Sequence, residues 1–256
     1  MTEVGIVVPT IGRREQYLVL ALESIRNAGD AFVLLVSNKG FDASKLHAAG
    51  LIDQHLEEER PEVAEKINLG VRSLPATVKY VGWLSDDDLL NSGALSIALT
   101  RIKQPDRPTL VFGGCEYIDA AGKRIFTNHS GRWAVPLLRF GPQLIPQPGA
   151  LFQREAFEKL GNLKPEYGLA FDFDLYLGLS KAGKAVHVKK VLSKFRWHSS
   201  SLSVSRRAES VNEASRVRVS HLPWLLKPVS LLWEYPVRIA TYLAGMAVSK
   251  FVNKGN

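Results

Sequence analysis

Cysteine occurs once in this 256-residue sequence, as Cys115. One thiol builds neither a disulfide framework nor a cysteine-based zinc site, and its simplest reading is a small buried residue at a strand end. Long apolar runs are missing too. No stretch of about 18 uncharged apolar residues occurs, so no membrane-spanning helix is expected; the nearest candidate, 239–249, is too short. The beginning carries no basic segment and no secretory apolar core. Met1-Thr2-Glu3 runs straight into Val4-Gly5-Ile6-Val7-Val8-Pro9, so no signal peptide and a cytoplasmic location are expected. Internal repeats and low-complexity tracts are absent, and 46% hydrophobic residues are enough for a sizeable core.

Acidic residues are in deficit, leaving a formal charge of +8. The excess is uneven: residues 205–256 hold eight Lys/Arg against three Glu. Such a segment attracts an anionic membrane, a nucleic acid or a phosphorylated substrate, or is simply a solvated helix face. No nucleic-acid-binding module accompanies it, so no nucleic-acid partner is expected.

The first half alternates short apolar runs with helical spacing. Strands are expected at Val4–Val8, Phe32–Val36, Leu51–Leu56 and Val78–Leu84. Helices are expected at Arg13–Asn27, at Pro61–Ser73 with proline in the first turn, and at Ser92–Ile102. This order predicts an α/β fold with a mostly parallel, doubly wound sheet. Ligands of such sheets bind beyond the carboxyl ends of the strands. Those ends carry Pro9-Thr10, Ser37-Asn38-Lys39 and Ser85-Asp86-Asp87-Asp88. Next come a strand at Leu110–Gly114 and a hairpin at Glu116–Ile125 turning on Asp119-Ala120-Ala121-Gly122. An extended loop follows at Ile145–Gly149, then helices at Arg154–Leu160 and Phe173–Ala182, the second stopped by Gly183. Val186–Val188 and Leu192–Trp197 read as closing strands, and Arg206–Leu222 as a basic helix.

Asp86-Asp87-Asp88 is the strongest chemical signal. Three adjacent carboxylates repel one another and make sense around a hard divalent cation that also takes phosphate oxygens. The plainer reading is an acidic cap on a helix starting near Asn91. Asp172 and Asp174 flank Phe173 before a helix. A carboxylate among aromatics is partly desolvated, which suits a general base; the plainer reading is an N-cap. One of the two is expected to face a site and the other to orient the loop. His198 follows a strand, and the other five histidines read as structural or solvated.

Taken in order, these pieces resemble the inverting glycosyltransferases of the family 2 type, which share the A-type nucleotide-diphospho-sugar transferase fold. The likeness spans roughly residues 4–203. It rests on Val7-Val8-Pro9-Thr10, Asn68-Leu69-Gly70, Trp83-Leu84-Ser85-Asp86-Asp87-Asp88-Leu89-Leu90 and Ile118-Asp119-Ala120-Ala121-Gly122-Lys123. It continues through Ile145-Pro146-Gln147-Pro148 to Phe152-Gln153-Arg154, similar to the loop and strand beside the sugar. Phe171-Asp172-Phe173-Asp174-Leu175-Tyr176-Leu177 and Phe195-Arg196-Trp197-His198 through Ser201-Leu202-Ser203 complete it. The resemblance implies a nucleotide-sugar donor, a Mn²⁺ or Mg²⁺ ion and a glycan or lipid-linked acceptor. It implies donor contacts from Pro9, Thr10, Arg13, Asn38, Lys39, Asn68, Asp86 and Asp87. Asp172 falls at the position of the catalytic base. The metal is implied at Asp86, Asp88 and His198, with Asp87 able to take either aspartate's place. Lys66 stands where a helical rotation offers it in place of the Arg that relatives carry before Asn68.

The implied organisation is a catalytic domain over 1–204, with a nucleotide-binding half at about 1–114 and an acceptor half at about 115–204. A basic amphipathic helical tail fills 205–256. Its aromatics, leucines and cations fit a peripheral contact with a membrane, consistent with cell-envelope polysaccharide or glycolipid synthesis, or equally helices packed on the domain or a dimer contact. Two rival classes remain: a nucleotidyltransferase, which normally shows a glycine-rich loop where Thr10-Ile11-Gly12-Arg13-Arg14 has one glycine, and a non-catalytic nucleotide-sugar-binding module.

Overall fold

The computed structural model describes residues 2–60, 62–129, 131–198 and 201–254. Val4–Pro9 (β1), Phe32–Ser37 (β2), Gln54–Glu57 (β3) and Tyr80–Trp83 (β4) lie side by side, all parallel, in the order β3-β2-β1-β4. Glu15–Ala28 (α1), Ser44–Ala48 (α2) and Val63–Ser73 (α3) connect them. Every residue of β1 is buried, because both faces of the sheet are covered, and that is why it reads as an unbroken apolar run. Val4, Ile6 and Val8 join the core under α1, with Leu18, Leu22 and Ile25. Val7 points the other way, toward Ile67 and Val71 of α3. A Cβ on Gly70 would sit 2.5 Å from Val7 Cγ1, so glycine here lets α3 lie close on β1. The helix begins at Val63; the proline expected in its first turn, at position 61, lies outside the described residues.

The second half departs from the expected sheet. Leu89–Leu90 (β5) leads to Ala94–Ile102 (α4), then to the long strand Leu110–Ile118 (β6) and its hairpin partner Arg124–Asn128 (β7). Gly122 in the turn has φ +88°, the conformation expected of it. After Ala134–Leu137 (α5) comes the three-residue strand Leu151–Gln153 (β8), which inserts between β4 and β6 and runs antiparallel to both. Arg154–Lys159 (α6), Phe171–Ala182 (α7) and Ala185–Arg196 (β9) follow. The two expected closing strands are this one strand, parallel to β6 with register shifts where a break was read. Among the described residues the sheet is therefore mixed, nine strands with the path β3-β2-β1-β4-β8-β6-β9-β5 and β7 beside β6, parallel as expected in β3-β2-β1-β4 and between β6 and β9 and antiparallel elsewhere. Its parallel half ends where β8 reverses direction.

Leu202–Ser205 (α8), Arg207–His221 (α9) and Leu231–Lys254 (α10) end the chain. The last two are not a detached appendage in space. Glu213 of α9 accepts the backbone N–H groups of Leu169 (2.5 Å) and Ala170 (2.7 Å), at the start of α7. Arg218 of α9 and Glu234 of α10 form a buried ion pair, each 2% exposed, with contacts of 2.7 and 2.8 Å. Ser215 donates to the same carboxylate, and Arg218 donates to Gly141 O.

Candidate active site

The acidic run sits on a tight turn. β4 ends at Trp83, and the Asp88 N–H donates to Ser85 O at 3.2 Å, which leaves Asp86 and Asp87 as the two middle residues. β5 follows immediately, so the run caps no helix: α4 starts at Ala94 after Gly93, with no side-chain cap. The three carboxylates then meet three different surroundings. Asp86 accepts the Thr10 hydroxyl at 2.5 Å. Asp87 receives Arg14 Nη1 at 2.5 Å and shares a 2.9 Å contact with His198 Nε2. Asp88 turns back into the sheet, 1% exposed, and accepts the Arg196 backbone N–H at 2.9 Å. The Arg196 guanidinium clamps the turn from behind, donating to Asp87 O and to Asp119 O and Ala120 O of the β6–β7 turn. Burial pushes Asp86 above the ordinary carboxylate range, against the Thr10 hydrogen bond. Burial, and then the neighbouring Asp87 charge, push Asp88 well above it.

These residues edge a cavity of about 240 Å³ at the carboxyl ends of β1 and β4. Pro9, Thr10, Asp86, Asp87, Lys66 of α3 and Asp172 are among its walls. Lys66 is 1% exposed and donates to Arg60 O at 2.8 Å; burial holds its ammonium below the usual lysine range.

Asp172 lies in the first turn of α7, which begins at Phe171, two residues before the expected start at Phe173. Its carboxylate accepts Gln143 Nε2 at 2.7 Å and the Phe173 N–H at 2.8 Å. Burial, the larger effect, pushes it above the ordinary range, and the Gln143 bond opposes this. Asp172 also lines a second cavity, of about 250 Å³. Tyr117, Pro146, Ser210, Ala214 and Thr241 are among its walls, so α9 and α10 enclose it. Gln147, Asp172 and Phe195 border both cavities. Asp174 points elsewhere, contacting Lys164 at 3.0 Å and His221 of α9 at 2.7 Å. Of the two, Asp172 borders both cavities, while Asp174 is taken up by Lys164 and His221.

Several expected site residues lie apart from this arrangement. Asn38 and Lys39 are exposed, and Lys39 pairs with Glu59. Arg13 is exposed, while its neighbour Arg14 reaches Asp87. Asn68 is buried and bonds both the O and the N–H of Leu163 at 2.8 and 2.9 Å, so it ties α3 to the loop before α7. Arg14, Gln143, Gln147 and Glu213 carried no motif of their own. Arg14 was adjacent to one, and Gln147 lay inside the Pro-Gln-Pro loop.

The implied divalent cation can be tested against these positions. Among the described residues no three His, Cys, Asp or Glu side chains converge as a ligand set. The expected trio of Asp86, Asp88 and His198 is not assembled, because the turn sends Asp88 into the sheet and brings His198 to Asp87. Asp87 and His198 offer a carboxylate and an imidazole nitrogen to a cation that takes its remaining ligands from water and phosphate oxygens, which would displace Arg14 Nη1 from its place 2.5 Å from Asp87 and 3.4 Å from His198 Nε2. Ser199 and Ser200, in the same motif, lie outside the described residues.

No protein-family model and no curated protein sequence matches this chain. Solved structures do. The mannosyltransferase PcManGT from Pyrobaculum calidifontis, in complex with GDP-Man and Mn²⁺, aligns over 99% of this chain and 79% of its own, with TM-score 0.63 and 17% identity. A crystal structure of S. aureus TarS 1–349 aligns over 100% of this chain and 92% of its own, with TM-score 0.60 and 10% identity. The chain spans about half of a longer S. aureus TarS structure, 54%, with TM-score 0.61 and 11% identity. The chain has the α/β fold seen in PcManGT and TarS.

Proposed function

We propose that this protein is a glycosyltransferase that moves a sugar from a nucleotide-diphosphate donor to an acceptor hydroxyl with inversion. One observation carries the reading: Asp172, a buried carboxylate with a raised pKa, is shared by two cavities, and the acidic turn edges only one of them. That is the layout of a two-substrate displacement with one base between donor and acceptor. The mannosyltransferase neighbour, with its GDP-Man and Mn²⁺, supports the donor class and the metal.

In this reading Thr10, Asp86 and Asp87 receive the nucleotide-diphosphate end of the donor, and Lys66 and Arg14 offer it positive charge. Asp87 and His198 would hold the divalent cation, which would supply positive charge to the leaving diphosphate. Asp172 takes the acceptor hydroxyl's proton as that oxygen attacks, and Gln143 fixes the carboxylate's orientation. With Asp172 as the base on the acceptor and the neighbouring Glu213 carboxylate taken up by the Leu169 and Ala170 N–H groups, the sugar transfers in one in-line displacement, which inverts the anomeric centre. The acceptor enters the cavity enclosed by α9 and α10. A glycan or lipid-linked acceptor of cell-envelope synthesis fits this scheme.

The test is a donor panel. Purified protein is incubated with UDP-, GDP- and dTDP-sugars, with and without Mn²⁺ or Mg²⁺, and nucleotide release and thermal stability are followed together. Metal-dependent stabilisation by one donor, reduced in Asp87→Asn, is expected. Pyrophosphate release instead would identify a nucleotidyltransferase, and donor binding without turnover with any acceptor a binding module.

A further inference from the structure

α10 is an amphipathic helix turned inside out. Its polar side chains face the protein: Glu234 is buried on Arg218, Arg238 bonds Asn212, Thr241 reaches the second cavity, and Ser249 accepts Trp197 Nε1 at 3.2 Å. Its outer face carries Leu231, Leu232, Tyr235, Ile239, Tyr242 and Leu243, all exposed, with Leu232 at 79%. Between Leu231 and Ser249 the charged residues are Glu234 and Arg238, both on the inner side. A solvated helix face does not look like this.

The apolar surface extends past the helix. Trp224 and Leu225, just before it, are 77% and 65% exposed. Phe140 meets Trp233 of α10 at 5.9 Å between ring centroids, which brings in a second segment with exposed Trp133 and Leu137. Across 131–140 and 223–250 the exposed charged residues are Arg132, Arg139, Lys227 and Lys250; the one carboxylate, Glu234, is buried. Arg132 lies over Trp133, 5.4 Å from the ring centroid. Apolar and aromatic side chains rimmed by cations alone are complementary to an anionic bilayer surface, where tryptophan and tyrosine settle at headgroup depth. A second copy would bring the same cations against each other. Among the described residues no helix is long and apolar enough to cross a membrane, so the contact is peripheral.

We infer that the outer face of α10, together with the Trp133–Phe140 segment, is a docking surface for an anionic lipid bilayer. The sequence left membrane contact, packing on the domain and a dimer contact as alternatives for this region; its inner face packs on the protein, and it is the outer face that we assign to the bilayer. The inference does not depend on the glycosyl-transfer reading. If that reading holds, α9 and α10 also wall the second cavity, and the docked enzyme presents it to lipid-linked acceptors.

The experiment is co-sedimentation of the full chain with vesicles of phosphatidylcholine, with and without phosphatidylglycerol, and light scattering without lipid. The protein is expected to sediment with phosphatidylglycerol vesicles and to remain monomeric without them. Leu232→Glu with Tyr235→Glu should lower the partition coefficient by at least about tenfold, since each change removes an apolar anchor and adds repulsion. Both side chains are exposed, so circular dichroism should be unchanged; Trp133→Ser, on the other segment, should weaken binding independently. Wild-type protein left in the supernatant with phosphatidylglycerol vesicles overturns the inference. So does a dimer that the double substitution dissociates, which would assign the face to a second copy.

Discussion

The buried pair Arg218–Glu234 is the joint between α9 and α10, and breaking it has a calculable cost. Both side chains are 2% exposed, and Glu234 accepts two bonds from Arg218 and one from Ser215. Glu234→Gln leaves a guanidinium buried against a neutral amide, and Arg218→Met leaves a carboxylate with only Ser215. Removing one partner of a buried pair costs about 3–5 kcal/mol. For a domain of this size each kcal/mol lowers the melting midpoint by roughly 2–4 °C, so each single change should lower it by roughly 6–20 °C. The double change Arg218→Met with Glu234→Leu removes both charges, and should come within about 1 kcal/mol of the starting protein or exceed it. Urea denaturation of these variants together with Glu234→Leu alone closes the cycle and gives the coupling. Additive losses, with the double variant less stable than either single one, would refute the reasoning. Glu213 on the same helix bonds the start of α7, so loosening α9 should also slow any reaction that uses Asp172.

Asp88→Asn should stabilise the protein at neutral pH. The carboxyl is buried and its folded pKa is raised, so its contribution is present below the ordinary carboxylate pKa and is lost as pH rises through the folded value. The gain should be seen as a higher urea midpoint at pH 7 that vanishes in acid. Gly70→Ala should destabilise by about 1–3 kcal/mol, opposite to the usual benefit of alanine in a helix, because its Cβ meets Val7 at 2.5 Å; a stability gain in chemical denaturation would contradict the close packing of α3 on β1. Because burial raises Asp172, the acid limb of kcat/KM should lie above the ordinary carboxylate range and fall as pH drops through the Asp172 pKa; a limb near pH 4 would show the carboxylate is solvated during turnover.

The parallel half of the sheet was legible because burial on both faces leaves unbroken β-branched runs such as Val4–Val8. Three-residue β8 was not legible from periodicity, and only its place beside the sugar loop in the family resemblance marked it. The direction it takes set the sheet's mixed character. In the site the acidic run was conspicuous, but a tight turn decides which carboxylate faces outward, and no spacing rule applied to three identical neighbours reveals that. Asn68 looked like a ligand contact because a buried asparagine bonding the Leu163 backbone leaves the same sequence mark. The packing of α9 was hidden for a different reason. It buries Glu213, Ser215 and Arg218 alongside Val217, so there was no apolar periodicity to read.

The most direct measurement compares Asp172→Asn with the unaltered protein, using the donor found in the panel and an acceptor. Product formation and donor binding are measured in parallel. The account predicts a fall in kcat of about 10²–10⁴ with donor affinity unchanged, since Asp172 acts on the acceptor hydroxyl alone. Transfer retained within a fewfold would contradict Asp172 as the base and, with it, the two-cavity mechanism.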